Sequence, residues 1–188
     1  MTDRAGVPRA SGPTILLSSG AYFDLADPGR CPFTIEDVAH ALAHICRFGG
    51  HTRRFYSVAE HSVWCSRIVW PERALEALLH DAAEAFIGDV TRPLKSMLPS
   101  YRALEASVEA AVFRRLGIGP SLHPSVREAD QRMLVAEQRQ AMGSVDPWPG
   151  LEGVAPAPVV LEFLEPSAAA QLFLREYERW APKGRGHV

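Results

Sequence analysis

Lysine is almost absent: Lys95 and Lys183 are the whole supply in 188 residues, and Arg carries the rest of the positive charge. With 20 basic against 22 acidic side chains, a net charge of −2 and a pI near 6.4, the chain has no broad basic face for a long nucleic acid. A small anionic ligand remains compatible with that balance. Cysteine is scarce as well. Cys31, Cys46 and Cys65 are odd in number and lack paired ligand spacing, which argues against a disulfide framework or a zinc ribbon and reads as buried free thiols. No stretch approaches the roughly 18 uninterrupted apolar residues of a membrane span, and the N-terminal residues show no apolar core of a secretory signal. Neither internal repeats nor Gly-rich phosphate loops are present. A cytoplasmic protein without a membrane partner is the expectation.

What is there is ordinary globular composition, 47% apolar and 22% charged, in a length that suits one domain with a proper core. Residues 1–33, rich in Gly, Pro and Ser, read as an irregular N-terminal arm with room for a short hairpin around Ile15-Leu16-Leu17 and Tyr22-Phe23. From Thr34 the apolar spacing turns helical. Thr34 and Asp37 have capping-box spacing, and Ile35, Val38, Leu42 and Ile45 share a face, predicting a helix that ends near Gly49-Gly50. Ser57 and Glu60 repeat the device for a second helix that stops before Pro71. A third begins at Pro71, carries Leu75, Leu78, Leu79, Ala82 and Phe86, and ends at Gly88. A fourth runs from Pro99 to Gly117, and a fifth from Pro124 to about Gly143. Pro147, Pro149, Pro156 and Pro158 around Trp148 predict a structured loop or lid, followed by an amphipathic helix from about Ser167 to Trp180. The reading is all-α: an irregular arm (1–33), a helical domain (34–181) and a flexible tail (182–188).

The segment Leu78-Leu79-His80-Asp81-Ala82-Ala83-Glu84 sets two ligand-type side chains and a carboxylate in an apolar frame. Burying an ionised Asp and a His is unfavourable by several kcal/mol unless they are paired, and a metal ion is a partner that suits both. Adjacent helical residues diverge by about 100°, so His80 and Asp81 meet one ion only from a shared edge. Further ligands must come from facing helices. His61 in the second helix and Asp130 in the fifth are both polar residues close to an apolar face. Two imidazoles and two carboxylates suit one divalent transition metal ion, Mn, Fe, Co, Ni or Zn, better than Ca. Glu84 lies four residues after His80 and three after Asp81, on the same side.

The ordered set His61, His80-Asp81 and Asp130 resembles the H…HD…D signature of the HD-domain phosphohydrolases. Ser57-Val58-Ala59-Glu60-His61-Ser62, Leu78 to Glu84, Gly88-Asp89 and Pro93-Leu94-Lys95 extend the likeness, over about Thr34 to Met142, to the 5′-deoxynucleotidase branch and its short phage and bacterial relatives. The resemblance implies an HD-type helical bundle, His61, His80, Asp81 and Asp130 as metal ligands, and Glu84 and Asp89 as an acid/base pair. It implies substrate contacts from Arg47, from Phe48, which stands where that branch has Trp, and from Lys95, the phosphate-contacting Lys. It implies hydrolysis of a nucleotide, a mono- or triphosphate, and a homodimer. An HD module that binds a nucleotide as a sensor would keep the ligands but lose the acid/base carboxylates, and both are here. Arg53 and Arg54 read equally well as a phosphate clamp or as a solvated charge run.

Overall fold

A computed structural model describes residues 12–182, and within them the chain is mostly helical with one two-stranded sheet. Parts of the arm and tail, residues 1–11 and 183–188, lie outside the described residues. The sheet is an antiparallel hairpin, β1 (Thr14–Leu16) on β2 (Tyr22–Asp24), with Ile15 opposite Phe23. It belongs to the core. Phe23 is fully buried and stacks on Phe86 at a 4.0 Å ring separation, with Phe33 against the edge of Phe86.

Helix α1 (Ile35–His44) opens on the expected capping box: the Thr34 hydroxyl accepts the Asp37 N–H, and the Asp37 carboxylate accepts the Thr34 N–H. The same carboxylate receives the Ser18 hydroxyl, the Ser19 N–H and the Ser19 hydroxyl, each at 2.8 Å, and so ties the hairpin turn to the helix. Burial opposes the charge, but the donors from Ser18, Ser19 and Thr34 outweigh it and hold the Asp37 carboxyl below the usual carboxylate range. A lowered folded pKa stabilises above the ordinary Asp value and is lost as pH falls through the folded one. Asp37→Ala is therefore expected to lower unfolding free energy by about 2 kcal/mol at pH 7, with the gap to wild type narrowing in acid. Denaturant titrations at neutral and acid pH check this; a pH-independent gap would remove the charge from the account.

Helix α1 ends at His44, short of the predicted Gly49-Gly50. Ile45 turns extended, Cys46 forms an isolated antiparallel bridge with Ser57, and Arg47 N–H donates to Tyr56 at 2.9 Å, so these amides find partners across the chain instead of along a helix. Residues Arg47–Gly50 form a tight turn in which Phe48 takes a left-handed backbone, φ 55°.

Helix α2 (Val58–Ile68) packs against α1, α3, α7 and α8 and is the central element. Its cap Ser57 accepts the Glu60 N–H as predicted. The Glu60 side chain does not close the box. It is fully buried and accepts the backbone N–H groups of Glu162, Phe163 and Leu164 at 2.7 to 3.0 Å.

The predicted third helix is broken into a 3₁₀ turn (Pro71–Arg73), α3 (Ala74–Leu78) and α4 (Glu84–Ile87), the latter closed by Gly88 at φ 77°. A short helix that the sequence reading did not anticipate, α5 (Arg92–Met97), precedes α6 (Pro99–Leu116). Helix α7 (Pro124–Glu137) continues as one π-helical turn, Gln138–Met142, to Gly143. The Pro-rich segment beyond it has no regular element, yet Leu151, Ala157 and Leu161 are buried, Gln140 brackets Val159 and Leu161, and Ala157 N–H reaches the Arg132 carbonyl. It is a structured loop, as expected. Helix α8 (Pro166–Trp180) completes the core against α1 and α2. Among the described residues no helix is long and apolar enough to cross a membrane.

Candidate metal centre and adjoining cavity

His61 sits mid-α2, fully buried. His80 and Asp81 occupy the break between α3 and α4, where Leu79 has already left helical geometry and the amides of Ala82 and Glu84 bond to Leu79 and Asp81. The break resolves the divergence that a continuous helix would impose on neighbouring side chains. His80 Nε2 and Asp81 Oδ2 come to 3.2 Å, and both reach His61 Nε2, at 3.3 and 3.6 Å. Asp130 on α7 brings Oδ1 to 3.4 Å from the same nitrogen.

These spacings fit ligand atoms around one ion, since donors held ~2.1 Å from a common centre lie roughly 3.0 to 3.4 Å apart. Ring orientation fits as well. His80 Nδ1 meets the Ala77 carbonyl at 2.7 Å, and His61 Nδ1 meets Glu137 Oε1 at 2.5 Å. Rings whose Nδ1–H groups donate this way turn Nε2 lone pairs toward each other and toward two carboxylates, an arrangement that calls for a cation between them.

The protonation equilibria point the same way. Burial and the nearby Arg47 work against a charged His61, but Glu137 and Asp130 prevail and hold its pKa well above the ordinary value. Burial likewise opposes protonation of His80, and Asp81 overcomes it. Burial would raise the Asp81 and Asp130 carboxyls, yet the two imidazoles bring both below the usual range.

Glu137 is the residue that organises this side of the site. Fully buried at the end of α7, it accepts the Tyr56 hydroxyl at 2.9 Å and the Arg47 guanidinium at 3.1 Å besides the His61 ring. Arg47 also faces Asp81 at 3.6 Å. The sequence analysis assigns Glu137 no role; a carboxylate seven residues after Asp130, two turns along the same helix, was the available signal. Cys65 was missed too. It stands one turn after His61, its Sγ 3.5 Å from His61 Nε2, and the His61, Cys65 and His80 donor atoms all lie within 4.8 Å of one another, a buried cluster that could hold a metal ion. Burial raises the Cys65 thiol to about 11.

Beside the cluster opens a cavity of about 730 Å³, lined by Arg47, Asp81, Glu84, Asp89, Lys95 and Asp130, and by Phe48, Leu134, Trp148 and Leu151 among others. Glu84 begins α4; its Oε2 is buried without a hydrogen-bond partner, and Lys95 Nζ lies 3.8 Å from Oε1. Burial first, then the charges of Asp81 and Asp89, raise the Glu84 pKa well above its ordinary value. Asp89, just past Gly88, is raised by burial despite Arg47. Lys95 on α5 is bound to Glu105 at 2.5 Å. Thus every residue predicted for the site lines the cavity or the cluster beside it. Arg53 and Arg54 have other work: a Cβ on Gly143 would collide with the Arg53 guanidinium, and Arg54 lies over the Phe163 ring at 4.6 Å. Both are exposed, and neither lines the cavity.

Fold and site together define a mainly helical protein with a buried His–Cys–His cluster able to hold a metal ion. No protein-family model matches the chain. It is 39% identical over 163 residues to the uncharacterized protein YfdR of Escherichia coli K12, across 85% of this chain and 90% of YfdR. It is 36% identical over 123 residues to an uncharacterized protein of Rhodobacter capsulatus, across 60% and 63% of the two chains. The chain belongs to the YfdR family.

Proposed function

We propose that this protein is a metal-dependent phosphohydrolase of the HD type that acts on nucleotides in the cytoplasm. The observation that carries the reading is the convergence of His61 Nε2, His80 Nε2, Asp81 and Asp130 on one point at the edge of a cavity that also receives an unpartnered buried oxygen of Glu84. His61, His80, Asp81 and Asp130 would hold the ion. Cys65, its Sγ 3.5 Å from His61 Nε2, stands beside them as a further buried donor. When bound, a divalent ion at this position supplies Lewis acidity toward a phosphoryl oxygen and an activated water.

The chain's own groups supply the proton inventory. Glu84 takes a proton from the attacking water as its oxygen bonds to phosphorus, and Asp89 gives one to the leaving oxygen as the old P–O bond breaks; the two roles could be exchanged. Carboxyls with raised pKa values suit either task near neutral pH. Lys95 and Arg47 offset the phosphoryl charge, Lys as a point charge and Arg as a planar fork. Lys95 must loosen from Glu105 to do so.

The test loads purified protein with Mn, Co or Zn and screens deoxy- and ribonucleoside mono- and triphosphates by chromatography, beside His80→Ala. Metal-dependent turnover lost in that variant is expected, and the product, phosphate or triphosphate, identifies the bond broken. Saturating metal should also raise unfolding free energy by about 3 kcal/mol at 100 times its Kd, and not in His80→Ala. Nucleotide binding without turnover under any metal would replace the hydrolase with a nucleotide sensor.

A further inference from the structure

The cavity joins two chemistries. One part of its lining is ionic, from Arg47, Asp81, Glu84, Asp89, Lys95 and Asp130; the other is apolar, from Phe48, Leu134, Trp148, Pro149 and Leu151. Phosphoryl chemistry engages the first and leaves the second without a function. The apolar part is assembled at some cost in backbone strain. Phe48, which lines that part, takes a positive φ of 55°, in the left-handed region that side chains seldom adopt. Such strain persists where the surrounding structure enforces it, and it concentrates at ligand sites. The left-handed turn sets the Phe48 ring beside Trp148, centroids 5.5 Å apart and planes inclined at 58°, so that the two rings form a corner and not a closed stack.

Trp148 arrives there on a segment with no helix or strand of its own. That segment is fastened on both sides: Leu151 is buried, the Gln138 amide donates to the Asp146 carbonyl, and the far end is held by Glu60 through the amides of 162–164. Trp64 and Trp180 each donate the indole N–H to a carboxylate, whereas Trp148 has no such partner among the described residues and remains half-buried at the cavity wall. A buried structural Trp finds a partner for that N–H. A fastened loop that brings an indole with a free N–H to a cavity beside a second ring fits a planar heterocycle, which offers both a face to stack on and acceptors to receive the N–H.

We propose that Trp148 is a specificity-determining residue that stacks on the nucleobase of the substrate, with Phe48 against the base edge. The inference rests on the nucleotide phosphohydrolase reading for its substrate, but the stacking can be read without catalysis. Two phosphate esters that share a sugar, deoxyadenosine monophosphate and deoxyribose 5-phosphate, separate recognition of the base from chemistry at phosphorus. In Trp148→Ala the ratio of their kcat/KM values is expected to fall roughly 5- to 100-fold, the range for loss of one base–aromatic stack, through KM for the nucleotide. Trp148→Phe should recover most of that ratio. A ratio unchanged in Trp148→Ala overturns the proposal, whether both substrates lose activity together, as for a merely structural loop, or neither does. The second readout is indole fluorescence of the metal-loaded protein titrated with adenosine, which carries no phosphate. Quenching in wild type that disappears in Trp148→Phe upholds the stack even if no ester is hydrolysed, an outcome that would sink only the hydrolase reading; no quenching in the wild type overturns the stack itself.

Discussion

Glu84→Gln is expected to lower metal-dependent hydrolysis by roughly 10²- to 10⁴-fold, the range for removing a general acid or base, while the protein still binds its metal and folds. The substitution keeps the shape of the side chain and removes its titration. On the proposed reading Glu84 carries the proton: it begins a new helix directly after the break that holds His80 and Asp81, with one oxygen buried and unpartnered and the other 3.8 Å from Lys95. Burial and the charges of Asp81 and Asp89 keep it ready to carry a proton at pH values where an exposed Glu has lost it. Metal content measured alongside kcat separates this role from ligation: a retained ion with lost turnover is the expected pair. A fall of less than about 10-fold would transfer the role to Asp89, and the same measurement on Asp89→Asn then decides.

Glu137→Ala should be the most damaging single change to stability. Fully buried, Glu137 neutralises Arg47, accepts the Tyr56 hydroxyl and orients His61. Burial raises its carboxyl, but Arg47, His61 and Tyr56 prevail and hold it down at about 2. Removing one member of a buried ion pair costs about 3 to 5 kcal/mol because the other charge stays behind, and here the Tyr56 hydroxyl also loses its acceptor. For a chain of this size the melting temperature should drop by roughly 10 °C. Denaturant unfolding with an unchanged slope is the check; a loss below about 1 kcal/mol would mean that Arg47 finds another carboxylate, with Asp81 the nearest candidate. If the Ala variant does not fold, Glu137→Gln serves. It keeps an acceptor for Tyr56 and the ring while removing the charge opposite Arg47. Because Glu137 fixes the His61 ring, metal affinity should fall ~10- to 100-fold in either variant.

Much of this protein is written locally. Capping pairs, helical spacing and Gly stops located α1, α2, α6 and α8, because those signals act within a few residues. The apolar frame around His80, Asp81 and Glu84 marked a candidate site for the same reason: buried ionisable groups are unfavourable wherever the chain puts them. The break that lets His80 and Asp81 face one point was beyond local reach. Leu75 to Phe86 has the periodicity of a continuous helix, and the interruption shows only in the tertiary structure, where His80 and Asp81 face His61 on another helix. Glu60 has capping-box spacing, yet its carboxylate serves three amides a hundred residues away.

The sequence by itself determined a mainly helical chain and marked His80, Asp81 and Glu84 as a candidate site, since both follow from short-range pattern and from the free energy of burying charge. Tertiary structure decided what gathers around them. Glu137 lies on His61 and on Arg47, 76 and 90 positions away along the chain, and Trp148 lies against Phe48, 100 positions away. No periodicity encodes such pairings. They form because loop closure over long separations adds little further entropy, and packing then selects the partner whose charge or face is left unsatisfied.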